Sequence, residues 1–352
     1  IELTQIKGSS ETHPLLSDSD EWADFEIMPY RVGTSLQSDV NGSYAREALK
    51  NGLVLAEAGI VNAYQFGFVG ATDTHTAAAS LEEETFFSKA GILDSVPALR
   101  GSVPLPADLA EIVAAAGRLR VEEIDGKRYA TGSYESWGAG GLTGVWAERN
   151  DRESIYRAFR RKETFATSGP RMQVRLFAGY DLDASMLRED AGLEQAYERG
   201  VSMGSELLPA DDRVPTLLAW ASRDAASAPL QRLQIIKGWI ENSESHEQVY
   251  DVACSDGLAV DPQTHRCPDN GAKVDLADCS ISENVGAGEL SAAWLDPNFD
   301  PGQRAFYYAR ALENPTCRWS TWDAVRARVA PRSDLNATLQ ERVWSSPIWY
   351  VP

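Results

Sequence analysis

A change of rhythm near Pro170 limits what this chain can fold into more than any other feature of its sequence. Before it, strand and helix patterns alternate. Residues 1–6 read as a strand, and the stretch 38–59 carries Ala45, Ala48, Leu49, Leu53 and Ala56 at helical spacing, with Ser43 as the expected N-cap and Gly59 as the stop. Residues 66–71 are a short apolar run of the kind buried on both faces of a parallel sheet. An irregular insertion follows at about 81–132, with one helix near 108–117. Alternation then returns, with a strand end at Trp146-Ala147-Glu148, a helix over 152–162 capped by Asn150-Asp151, and a strand from Thr164 that breaks at Gly169-Pro170. Such a pattern predicts an α/β layer or barrel for residues 1–170. Beyond it, strand patterns follow one another at 172–178, 216–222, 230–239, 248–253, 289–294, 305–312 and 344–350, and helical spacing occurs only at 184–199 and 321–329. Residues 171–352 therefore read as a second, mainly β domain, most simply a sandwich. The 352 residues suffice for two cores of ordinary size.

Charge narrows the partners. With 33 Lys and Arg against 52 Asp and Glu, the formal net charge is −19, which disfavours nucleic acid and anionic membrane surfaces as partners and leaves a small-molecule substrate. No run of 18 apolar residues occurs, so no transmembrane segment is expected. Oligomeric state is left open by the sequence. All four cysteines, Cys254, Cys267, Cys279 and Cys317, lie in a late stretch rich in Asp, Gly, Ser and Pro, which favours two disulfides in one of three pairings. A zinc site from Cys254, His265, Cys267 and Cys279 would lack Cys-x-x-Cys spacing. Disulfides imply an oxidising compartment, the periplasm or cell exterior of a bacterium, with the cytoplasm as the alternative. The chain opens at Ile1 within a strand and without Met, so an upstream portion is expected.

The residues suited to chemistry are few, because there are only four histidines. Asp73 and His75 stand two apart at the end of an apolar strand, where a carboxylate and an imidazole can face one divalent metal. Glu11 and His13 repeat that acid-x-His spacing after the first strand, as ligands or substrate contacts. Arg157, with Arg160, Arg161 and Lys162 on a basic helical face, and Arg171 are candidate anion contacts. Gly138-Ala139-Gly140-Gly141 lacks the spacing of a phosphate or dinucleotide loop, and no Gly-x-Ser-x-Gly elbow appears, so metal-activated water is favoured over a side-chain nucleophile.

The runs Gly67-Phe68-Val69-Gly70-Ala71-Thr72-Asp73-Thr74-His75-Thr76 and Lys7-Gly8-Ser9-Ser10-Glu11-Thr12-His13 resemble the PHP (polymerase and histidinol phosphatase) superfamily of metal-dependent hydrolases, more narrowly the bacterial branch catalogued as domain of unknown function 3604. The stretches 165–171, 309–321 and 345–350 resemble the same branch. The resemblance implies a distorted (β/α)7 TIM-like barrel, of which this chain would be the C-terminal part. It also implies two or three Zn, Mn or Fe ions, and hydrolysis of a phosphoester or related ester or carbamate. Asp73 and His75 match its last Asp-x-His ligand pair, whereas its other ligands have no counterpart in this chain, which alone would then be inactive. The alternative is a non-catalytic binding or structural protein whose β domain recognises a glycan or a protein.

Overall fold

The structure, a computed structural model, describes every residue except 33, 35, 79, 118, 133 and 190. Its first half holds β1 (Glu2–Gln5), β2 (Gly8–Ser9), α1 (Ala45–Glu57), β3 (Val69–Gly70), α2 (Pro97–Arg100), α3 (Ala107–Ala116), β4 (Arg120–Ile124), β5 (Lys127–Thr131), β6 (Leu142–Val145), α4 (Arg152–Arg160) and β7 (Thr164–Thr167). Then come β8 (Gln173–Gly179), α5 (Gly192–Arg199), β9 (Val201–Ser202), β10 (Glu206–Leu207), β11 (Thr216–Ser222), β12 (Leu230–Glu241), β13 (Glu244–Cys254) and β14 (Glu289–Leu295). The last elements are β15 (Ala305–Glu313), β16 (Thr316–Cys317), α6 (Trp319–Ala327), β17 (Thr338–Leu339), β18 (Arg342–Ser345) and β19 (Ile348–Tyr350).

Strand β15 is the centre of the molecule. All nine of its residues, AFYYARALE, are buried, because it is paired along both edges and covered on both faces. One edge pairs with β12, and the other pairs with β19 over Ala305–Tyr307 and with β18 over Arg310–Leu312. The resulting eight-stranded sheet runs β10-β19-β15-β18-β7-β6, with β12 and then β13 beyond β15. Side-chain alternation divides its two faces. Leu233, Ile235, Tyr307, Ala309 and Ala311 pack on Val174, Leu176, Leu217 and Ala219 of a four-stranded sheet, β14-β11-β8-β9. On the other face Ile236, Ile240, Phe306 and Tyr308 meet Ala45, Leu49 and Leu53 of α1, together with Leu3 of β1 and Phe68 just before β3 in the small sheet β2-β1-β3.

The (β/α)7 barrel expected for the N-terminal part does not form. Strand takes 29% of the chain and helix 18%, so the protein is mainly β, and its strands lie in several separate sheets with no closed barrel among the described residues. The reason is that a strand–helix–strand pattern fixes element type but not strand direction. α4 lies between β6 and β7 as the pattern requires, and Asp151 caps it by accepting from Ser154 N at 2.8 Å. Yet β6 and β7 pair antiparallel, and only Ser154 and Ala158 of the helix are buried, so it does not cover the sheet as a barrel helix must. The run 66–71 yields only the two strand residues of β3. Strands from both sides of residue 170, β6 and β7 before it and β15 and β18 after it, belong to the eight-stranded sheet.

Candidate functional site

β1 and β3 run parallel, so the segments leaving their carboxyl ends emerge on one side. Lys7 follows β1 and Asp73 follows β3. Asp73 adopts φ +50°, a left-handed conformation that Asp tolerates better than most residues. The ammonium of Lys7 hydrogen-bonds to Asp73 Oδ2, and that of Lys89 reaches the same oxygen at 2.9 Å. His75 is tied to this group through its backbone, whose N–H donates to Lys89 O at 2.7 Å. Its Nε2 lies 3.3 Å from Lys89 Nζ and 3.6 Å from Asp73 Oδ1. An ammonium can only donate, so this contact requires Nε2 to accept, which places the ring proton on Nδ1. Partial desolvation would raise the Asp73 pKa, but the hydrogen bonds from Lys7 and Lys89 outweigh it and hold the carboxyl down at about 2.

Lys7, His75, Lys89 and Arg120 line a cleft of about 490 Å³, closed on its far side by Thr131, Tyr134 and Trp137 at and beyond the end of β5. No Asp or Glu is among its described lining residues. Lys89 Nζ also stands 5.9 Å above the Trp137 ring, which Tyr134 meets edge-on at 4.8 Å. In the wall, Trp137 Nε1 and Thr131 Oγ1 are buried and have no hydrogen-bond partner. Each such orphan costs about 1–3 kcal/mol and calls for an explanation.

The donor set does not by itself fit the divalent ion that the sequence resemblance implies. Asp73 and His75 offer two donors where a protein site needs at least three, and two ammonium groups already hold the carboxylate. No group of three or more His, Cys, Asp or Glu side chains able to hold a metal occurs among the described residues.

The other candidates from the sequence lie apart from this pair. Glu11 is buried, and its oxygens accept from Arg46 Nη2 at 2.6 Å, Tyr308 Oη at 2.7 Å and Arg310 Nη1 at 3.0 Å. Asp20 shares both guanidinium groups, accepting at 2.8 Å from each. Burial alone would raise the Glu11 and Asp20 pKa values, but Arg310 and Arg46 hold both below the ordinary carboxylate range. His13 is partly exposed, accepts from Leu15 N at 3.1 Å through Nδ1 and lies 5.4 Å from the Tyr44 ring. Arg157 is half-exposed and faces Glu148 and Glu153, each at 3.9 Å. Arg171 is exposed, and its backbone N–H donates to Asp224 at 2.7 Å. Neither arginine lines the cleft. The cysteines form two disulfides, Cys254–Cys267 and Cys279–Cys317, so they are not zinc ligands.

Sequence reasoning missed Lys7, Lys89 and Trp137. Lys7 had a signal, its place directly after a strand that runs beside the one leading to Asp73. Lys89 and Trp137 had none, since the first lies within the irregular insertion and the second just beyond it, with no period to fix which way either points.

A cleft lined by Lys7, Lys89 and Arg120 thus lies at the carboxyl ends of two parallel strands in a mainly β, disulfide-bonded chain. The chain belongs to the family described as protein of unknown function (DUF3604), whose family model matches residues 1–352. No curated protein and no solved structure matches it.

Proposed function

We propose that the protein hydrolyses a phosphoester or a related anionic ester whose charged group sits between Lys7, Lys89 and Arg120. The observation that carries this reading is the sign of the lining, three cations and no described carboxylate in a chain of formal charge −19. Cations fixed in a partly desolvated cleft select an anion and offset the charge that develops on its oxygens during displacement. Lys89 is the best placed of them, since its side chain is 6% exposed and its ammonium stands over the Trp137 ring in the cleft wall. His75 is assigned the proton transfer, because its exposed side chain lines the cleft beside Lys89. The likeness of residues 7–13 and 67–76 to PHP hydrolases supports ester cleavage as the reaction. Two disulfides support an oxidising compartment, the periplasm or cell exterior. No described helix is long and apolar enough to cross a membrane.

A non-catalytic reading, in which the cleft only binds its anion, is favoured by the two lysines that occupy Asp73. Turnover of p-nitrophenyl phosphate and bis(p-nitrophenyl) phosphate, with and without added Zn, Mn or Fe, separates the two. Lys89→Met is expected to lower kcat/KM by about tenfold or more, the loss of one charge-assisted hydrogen bond to the ester. Saturable phosphate binding with no turnover under any condition would select the non-catalytic reading. Absence of both binding and turnover would refute the cleft as an anion site.

A further inference from the structure

The cleft does not end at Lys7. Next to it lies a groove of about 180 Å³, and the two share Lys7, Met28, Tyr30 and Val32 among their lining residues. The character of the lining changes along the way. Apart from the shared lysine the groove is lined by no described charged residue, and hydroxyl-bearing Ser9, Ser10, Tyr30, Ser38, Ser43 and Tyr44 are among its lining, with the Ser9 hydroxyl accepting from Glu11 N–H and the Ser43 hydroxyl donating to Asp39 O. We propose that the ester's alcohol part is a saccharide, so that the ligand is a phosphorylated or sulfated sugar with its anion at Lys7 and Lys89 and its hydroxylated rings along Tyr30 and Tyr44. This rests on the reading of the cleft as an anion site.

Three features favour a sugar over other neutral groups. Hydroxyls both donate and accept, as do those of a sugar, whereas a lipid chain offers them nothing to pair with. Tyrosine presents an apolar ring with a polar tip, which matches the mixed C–H and O–H surface of a pyranose. A peptide laid as an added strand would need the free edge of β2, but Ser9 N–H already donates to Glu26 O at 2.9 Å there. The orphaned Trp137 Nε1–H and Thr131 hydroxyl in the cleft wall add a donor and a donor–acceptor that, after a small side-chain shift, ring and ester oxygens would satisfy. The volume agrees as well, since about 490 Å³ falls in the range of sites for whole organic ligands rather than for a bare ion.

Calorimetric titration of the intact chain with inorganic phosphate, inorganic sulfate, glucose 6-phosphate, glucose 6-sulfate and a phosphoserine peptide tests this. The expected result is that a sugar ester binds at least tenfold more tightly than its inorganic ion, and the better of the two esters names the anion. Tyr44→Ala should weaken the sugar ester about fivefold or more and leave the inorganic ion unchanged, and Tyr30→Ala, at a half-buried position outside any helix, should do the same without disturbing α1. Lys89→Met should weaken both. Inorganic ions that bind as well as the sugar esters, or a phosphoserine peptide that binds as tightly, would overturn the saccharide assignment while leaving the anion site standing. No binding of any anion would overturn both.

Discussion

Glu11→Gln separates a structural from a functional role for an acid that the sequence pairs with His13. Glu11 is 3% exposed, and Arg46, Asp20 and Arg310 around it are 1%, 5% and 0% exposed. Glu11 and Asp20 pair with Arg46 and Arg310 in the interior, Glu247 and Lys50 extend the group at its partly exposed edge, and buried Arg342 adds a further positive charge beside it. The substitution leaves one more positive charge uncompensated and turns an amide N–H₂ toward guanidinium donors. Removing one partner of a buried ion pair typically costs about 3–5 kcal/mol, a large share of the roughly 5–15 kcal/mol that holds a folded protein together. Urea unfolding followed by far-ultraviolet circular dichroism should show a loss of that size, and Arg310→Met in the same chain should restore part of it. Because the Glu11 and Asp20 pKa values are lowered on folding, their contribution is present above about pH 4 and is lost as pH falls through the folded values. A loss below about 1 kcal/mol, together with a collapse of ligand binding, would refute the structural assignment and make Glu11 a substrate contact.

Three more outcomes follow from other parts of the fold. Burial pushes Glu313 up to about 8, and burial with neighbouring Glu26 pushes Glu83 up to about 7, so both favour the protonated folded state; stability should decline from about pH 4.5 toward pH 8, and Glu313→Gln should flatten that decline in unfolding measured across pH. Replacing Cys279 and Cys317 together by Ala opens a 38-residue loop, worth about 4 kcal/mol of chain entropy, and should lower the thermal midpoint more than opening the 13-residue loop of Cys254–Cys267, worth about 3 kcal/mol; equal shifts would contradict the loop-length argument. Asp73→Asn removes a negative charge worth about 1 kcal/mol near the surface and should tighten phosphate binding severalfold in calorimetry, whereas weaker binding would mean that Asp73 orders the two lysines rather than competes for them.

Elements whose pattern is local were legible in the sequence. β11 spans residues 216–222 as read, because an apolar run there is bounded by Pro215 and by the polar segment from Arg223. α1 starts where Ala45 begins the helical spacing, although Tyr44 rather than Ser43 occupies the cap and the Ser43 hydroxyl donates to Asp39 O instead. Pairing direction was not legible. Thr164-Phe165-Ala166-Thr167 is equally apolar whether its neighbour runs with it or against it, and the antiparallel β18 comes more than 170 residues later in the chain. The place of Asp73 after β3 was legible because a polar residue just past an apolar strand stands out. The partners of Glu11 were not legible from the acid-x-His pattern, since Arg46 and Arg310 lie 35 and 299 residues away.

The place of β18 between β15 and β7 bears on how the protein is made. β7 touches the central strand only through β18, so the sheet stays in two pieces until residues 342–345 arrive. Until then β7 has only β6 beside it in the sheet, and a chain held open in this way leaves an unpaired strand edge. It also needs protection from aggregation during that interval. Closure by so late a segment is a contact of very long sequence separation, which makes the final step slow and marks residues 342–350 as the part of the chain whose loss would leave two half-sheets rather than a smaller protein.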